Sequence, residues 1–209
     1  NYYQIEEDIK NIDKSKKILV DPSKCNAKLY DAIPDGVKKI EDMNPSTMLK
    51  AMKNETEIKG MTNALKRDCV AMTKYIKWLE ENAGKEKITE LSAAKKLTEF
   101  RKEIDLFVGE SFNTISGYAG HGAIVHYAVD EHSDVEIGTD TFYLCDSGGQ
   151  YMDGTTDITR TLHFGTPTAE EKRDYTLVLK GHIDLAMAKF PEGTRGAQID
   201  ALARKPLWD

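Results

Sequence analysis

The sequence predicts an α+β fold, and three observations carry that prediction. Apolar residues step by three and four through Ile58, Met61, Leu65, Cys69, Met72, Ile76 and Leu79, the stripe of one long helix. From Phe107 the period changes to the alternation of strands, in SFNTISGY, GAIVHYA and TFYLCD. A further helix starts at Thr168. Long helices, then an antiparallel block, then a helix favour α+β over an alternating parallel sheet.

The elements follow in order. Ile5, Ile9 and Ile12 recur at helical spacing, KILV (17–20) suits a buried strand, DPSKCNAKLYDAI reads as a capped helix, and VKKIE is a second short strand. Asn44-Pro45 disfavours helix at the residue before the proline, which sets a domain boundary there: 1–44 and 45–209. Asn54 and Glu57 cap a helix expected over 54–83, and Gly84 stops it. A second helix over 89–103, capped near Thr89, places Leu91, Ala94, Leu97 and Arg101 on successive turns. Strands are expected near 123–128, 141–146 and 157–163. The closing helix has a Thr168/Glu171 capping box after Pro167, with Tyr175, Leu179, Ile183, Ala186 and Phe190 as its core face. The chain stops at LARKPLWD directly after an apparent helix and reads as part of a longer protein.

Composition narrows the classes. With 40% hydrophobic residues the 209-residue chain can build a core, and no apolar run approaches the ~20 residues of a membrane helix. A net charge of −6 argues against nucleic-acid binding, which needs a clustered basic face. The first residues lack the apolar centre of a signal peptide. Cys25, Cys69 and Cys145 are scattered and lack CxxC spacing, as free thiols of a reducing cytosol would be.

The chemistry concentrates in DSGGQYMDGTTDITRT, residues 146–161. Asp146 ends one apolar run and Asp157 opens another, with turn-forming residues between. The ten intervening residues allow the two acids to face each other across an antiparallel hairpin, with Cβ atoms about 5 Å apart. Carboxylates that close must share a proton, stand in open water or bind a cation, and hard divalent cations favour such oxygens. The alternative is a solvated hairpin with no site. That register centres the turn on Tyr151–Met152, whereas the Asp153–Gly154 turn signal lies later, so a bulge or longer loop is required. Asp157, Thr159 and Thr161 would share one face, and Arg160 is either a partner for the acids or a surface charge. His126 is expected on a strand face with Ile124 and Ala128, where by pattern alone a histidine is a core or surface residue.

At DSGGQYMDGTTDITRTLHFG the chain resembles the Xaa-Pro aminopeptidases, the large multi-domain cytosolic type within the pita-bread metallopeptidases. The resemblance runs through ISGYAGHGAIVHYA, FPEGTRG and KNETEIKGMTNALKRDCVAMTKYIKWLE and covers about residues 45–209. It implies the N-terminal half of a pita-bread domain, long helices on a curved antiparallel sheet, after the end of a creatinase-like α/β domain in 1–44. It implies hydrolysis that releases the N-terminal residue from peptides with proline second. The cofactors implied are two divalent metal ions, manganese with zinc or cobalt as alternatives. Asp146 would bind one metal, Asp157 would bridge both, and His126 would contact substrate and help move protons. One histidine and two glutamates, the family's other ligands, are absent from these residues. The resemblance also implies a cytoplasmic homodimer without nucleic-acid or membrane partners. Two rivals remain: a prolidase that cleaves only Xaa-Pro dipeptides, and a metal-free pita-bread binding module.

Overall fold

A computed structural model describes residues 1–208, and the chain divides into two units, Asn1–Lys59 and Gly60–Asp209. The first unit contains α1 (Ile5–Lys10), β1 (Lys17–Val20), α2 (Ala27–Asp31), β2 (Lys38–Glu41) and α3 (Pro45–Ala51). β1 and β2 pair in parallel, Lys17 across from Lys38. Parallel neighbours need a crossover, and α2 lies in that connection. Asn26 caps α2 by accepting the Lys28 N–H at 2.8 Å. Val20, Ile33 and Val37 form a small core with Ile9, Ile12 and Ile18 against it. Asn44-Pro45 starts a helix here: Asn44 caps α3 through the Ser46 N–H at 3.0 Å, and Pro45 takes a first-turn position that needs no N–H.

α4 (Glu55–Asn82) and α5 (Glu90–Lys102) form the helical layer of the second unit, with only the first turn of α4 lying in the first unit. The start of α4 is the reciprocal cap the sequence predicts, Glu57 N–H to Asn54 Oδ1 at 2.9 Å and Asn54 N–H to Glu57 Oε2 at 2.8 Å. Gly84 follows it in the left-handed region at φ +76°. The buried face coincides with the apolar stripe only in the second half of the helix, at Met72 and Leu79 with Ile76 packed beside them. Ile58, Met61, Leu65 and Cys69 are exposed, whereas Gly60, Ala64, Asp68, Ala71, Met72, Tyr75 and Leu79 are buried. The physical reason is close backbone packing: a Cβ on Gly60 would strike the Asp153 carbonyl, and one on Gly154 would lie 2.9 Å from Met61 Cα. Small residues face inward because another main chain lies there.

That main chain belongs to two three-stranded antiparallel sheets. β3 (Phe107–Glu110) pairs with β6 (Gly149–Tyr151) and β6 with β7 (Gly154–Thr155); β4 (Ile115–Tyr118) pairs with β5 (Phe142–Ser147) and β5 with β8 (Ile158–His163). Met72, Tyr75, Leu79, Leu97, Ile137, Tyr143, Cys145 and Ile158 build the core between helices and sheet, each large apolar side chain contributing about 1.5–3 kcal/mol. Tyr75 and Tyr143 hydroxyls meet at 2.7 Å, and Tyr143 meets Ser116 Oγ at 2.7 Å. Burial pushes both phenols well above the ordinary tyrosine range, so they stay protonated as donors.

α6 (Ala169–Ala186) begins with the expected Thr168/Glu171 box and packs on α7 (Gly196–Trp208). Its predicted core face is not covered: Tyr175, Leu179, Ile183 and Phe190 are 44–53% exposed, and Gly181 is the buried residue of α6, lying against the Ala203 carbonyl. No helix of the described residues is long and apolar enough to cross a membrane.

Candidate metal centre

Asp146 and Asp157 lie on one hairpin but are not directly opposed. Asp146 stands across from Thr159 and Ser147 across from Ile158. The same register continues in β6–β7, Gln150 with Thr155 and Tyr151 with Gly154, around a two-residue turn at Met152–Asp153. Extending it sets Gly148 across from Asp157, so the two acids are diagonal neighbours. The turn thus falls between the one that would oppose the two acids and the one an Asp153–Gly154 pair would form, and it moves the pairing of Asp146 by two residues. A two-residue shift keeps every side chain on its face. Asp146 and Asp157 therefore share the outer face, roughly 7 Å apart as diagonal neighbours.

Asp146 is half-buried and Asp157 is exposed. Thr159 Oγ1 donates to Asp146 Oδ1 at 2.8 Å, and among the described residues neither carboxylate is paired with a basic side chain. Two hard oxygen donors on one face, without a cation of the protein between them, are a donor set that divalent metals favour. Among the described residues no group of three or more His, Cys, Asp or Glu gathers to hold a metal. Asp146 and Asp157 alone would supply two oxygen donors of such an ion's shell, and the described residues do not complete it. Cavities of about 250 and 380 Å³ border this face, the first lined by Gly122, Ala123, Leu144 and Thr161, the second by Thr159, Arg160, Tyr175 and Leu179. Arg160 is exposed, and its guanidinium donates to the Thr159 carbonyl at 2.7 Å.

The inner side of the hairpin is held by groups the motif alone does not reveal. Asp68 of α4 and Arg101 of α5 are fully buried and paired, Arg101 Nε to Asp68 Oδ1 at 2.8 Å and Nη2 to Oδ2 at 3.2 Å. Asp68 also accepts from Tyr151 Oη at 2.9 Å and Thr156 Oγ1 at 2.6 Å, while Arg101 Nη2 donates to Ser147 Oγ at 3.1 Å. Desolvation and the Asp68 charge push the Tyr151 phenol far up, which keeps it a donor. Arg67 pairs with Asp153 in the turn and lies over the Tyr151 ring. Gly148 has no room for a Cβ, which would strike the Thr156 carbonyl and Ser111 Oγ. A signal was present: Arg101 interrupts an otherwise apolar series on α5, and Asp68 lies in line with Gly60, Ala64, Ala71 and Tyr75.

His126 is not on a strand. Residues Ala119–Ala123 form a 3-10 turn, and His126 follows in an exposed bend at φ +56°. The reversal is built by glycine: a Cβ on Gly117 of β4 would lie 2.8 Å from the Gly122 nitrogen, so the segment folds back on the strand before it. Glu90, fully buried at the start of α5, anchors the bend. Its carboxylate accepts the Tyr118 N–H at 2.6 Å and the Tyr127 hydroxyl at 3.1 Å, and lies 3.0 Å from His121 Nδ1. His121 and Tyr127 stack at 4.6 Å, on either side of His126 in the chain.

Comparison with known proteins now places this arrangement. The chain is 49% identical over 199 residues to "Probable Xaa-Pro aminopeptidase P" of Laccaria bicolor, covering 94% of this chain and 30% of that protein. It superposes on the crystal structure of X-prolyl aminopeptidase from Caenorhabditis elegans, described as a cytosolic enzyme with a di-nuclear active site. That match has a TM-score of 0.90 and 35% identity, over 99% of this chain and 35% of that one. Prolidase from Pyrococcus furiosus shares the fold at a TM-score of 0.77 and 21% identity, over 100% of this chain and 58% of that one. The chain spans about a third of the length of its curated relatives. Residues 1–57 match the creatinase/prolidase N-terminal domain. Residues 59–209, which carry both aspartates and His126 on a pita-bread framework, match metallopeptidase family M24, and the chain belongs to that family.

Proposed function

We propose that the protein carrying this chain is a metal-dependent exopeptidase that releases the N-terminal residue from peptides with proline second. In this reading Asp146 and Asp157 are oxygen ligands of a two-metal centre, with manganese as the occupant, and His126 acts toward substrate. The carrying observation is that Asp146 and Asp157 share the outer face of one hairpin, unpaired by any base among the described residues. When bound, such ions supply an acidified water and a polarised scissile carbonyl.

The chain's own residues do the rest. Two carboxylates concentrate negative charge on one face, and the Thr159 hydroxyl takes one lone pair of Asp146 Oδ1, which orients that carboxylate. His126 is exposed, and in this reading its imidazole meets the substrate peptide. Cytosolic location accords with the description of the C. elegans enzyme.

The test uses the full-length protein, loaded with manganese, on an Xaa-Pro-Xaa tripeptide and an Xaa-Pro dipeptide. Preferred cleavage of the tripeptide is expected, with loss on chelation and in Asp157→Ala. Preference for the dipeptide would make it a prolidase. No manganese binding and no cleavage would favour a binding module.

A further inference from the structure

Two carboxylates can serve one metal centre only if their separation is fixed, and the sequence leaves that separation open. A hairpin with Asp146 across from Asp157 and one with Asp146 across from Thr159 differ by a two-residue slip, and both keep the two acids on the same face. The molecule adopts the second. What selects it lies on the opposite side of the sheet.

Ser147 and Thr156 are the chain neighbours of Asp146 and Asp157. Successive strand side chains point to opposite faces, so a hydroxyl pinned beneath the sheet sets the position of the carboxylate beside it above. Ser147 is held by Arg101 at 3.1 Å and Thr156 by Asp68 at 2.6 Å, and Asp68 and Arg101 hold each other. Tyr151 also binds Asp68, so one carboxylate grips the hairpin on both sides of its turn. A two-residue slip would break these contacts together.

The energetics argue that this pair is not kept for stability alone. A buried ion pair gains little over apolar residues of similar volume, because desolvation offsets the attraction. Arg101 Nη1 is moreover buried without a hydrogen-bond partner, an arrangement that costs stability. We propose that Asp68 and Arg101 are positioning residues for the metal centre, fixing the separation of Asp146 and Asp157 through Thr156 and Ser147. This rests on the reading of those aspartates as ligands.

The experiment titrates manganese into the full-length protein, at a temperature where the metal-free form is folded, and separately measures metal-free Tm. Thr156→Val removes the hydroxyl and keeps the shape; Thr156→Ser restores it; Ser147→Ala cuts the Arg101 link and serves should Thr156→Val fail to fold. Thr156→Val and Ser147→Ala are expected to weaken manganese binding by on the order of tenfold to a hundredfold, with Thr156→Ser near wild type. Unchanged manganese affinity in both, whatever the metal-free Tm does, overturns the proposal. So does equal weakening in Thr156→Ser and Thr156→Val. Asp157→Asn is the control: if it retains both metals, the ligand reading fails first, and the positioning role falls with it.

Discussion

The hairpin that carries Asp146 and Asp157 and the bend that carries His126 are built in opposite ways. The hairpin keeps one register through two ladders, β5–β8 and β6–β7, with glycines that bring its backbone against α4 and a buried ion pair from two helices beneath it. The bend has one carboxylate, Glu90, holding its two ends, and between them Val125 is 83% exposed and His126 sits in the left-handed region. Ligands of a shared metal tolerate little variation in spacing, whereas a group that meets substrate gains from latitude to follow it. Regions with few buried contacts open at lower free energy, so the difference separates a rigid segment from an adjustable one, which on the proposed function are the metal-holding and substrate-facing parts.

The largest expected effect breaks the rigid part. Asp68→Ala leaves the Arg101 guanidinium buried and uncompensated, which costs about 3–5 kcal/mol of unfolding free energy. Urea unfolding of the full-length protein measures it, and the Asp68→Ala/Arg101→Met double variant should be less destabilised than the single. Equal losses would mean that the pair is not what holds the hairpin. Glu90→Ala is the matching change in the bend. It strands the Tyr118 N–H at about 1–3 kcal/mol where it stays dry and leaves the Tyr127 hydroxyl only the Ser133 carbonyl at 3.4 Å. Hydrogen exchange should rise around residues 118–127 while manganese content holds. Loss of manganese in Glu90→Ala would show that the two regions are not separable.

How much of this was legible beforehand depended on distance along the chain. The Asn54/Glu57 and Thr168/Glu171 caps were readable because their partners lie three residues apart. The α+β order followed from periodicity, and the two aspartates stood out through the turn residues between them. The register was not readable, because Asp68 and Arg101, which grip the hairpin, are remote in sequence. His126 was misplaced on a strand because GAIVHYA is a short apolar, β-branched run; the Gly117–Gly122 contact that turns the chain there leaves no periodic trace. The apolar faces of α4 and α6 misled for a different reason. Close backbone packing selects small residues, so in the first half of α4 the apolar stripe was not the inner one, though Met72 and Leu79 do face the core, and α6 leaves its apolar face exposed.

A thiol reports on the rigid part at lower cost to the fold. Cys145 lies in β5 beside Asp146, is fully buried, and burial pushes its pKa up to about 11. At pH 8 the thiolate is then scarce and shielded, so a small alkylating reagent should label exposed Cys69 and leave Cys145 unmodified in the native protein. Thr156→Val should admit slow labelling of Cys145 if the hairpin loosens. Rapid labelling of Cys145 in the unmodified protein would mean that this strand opens readily, and the contrast with the bend would be lost.

The smallest effect tests the adjustable part. His126 has φ +56°, where a Cβ meets the following carbonyl at a cost of roughly 1–2 kcal/mol and glycine meets none. His126→Gly and His126→Ala both remove the imidazole, so both should lower turnover strongly while manganese content stays near wild type. They should differ in stability: the glycine variant is expected to be more stable than the alanine variant by about 1 kcal/mol, less whatever the freer unfolded glycine chain gives back. Chemical denaturation of the two variants side by side isolates that difference, because each lacks the same ring. A strained, exposed residue kept at a cost is the pattern found where conformation serves function. Equal stabilities would place no strain at residue 126, and the bend would then hold His126 by default rather than against a cost.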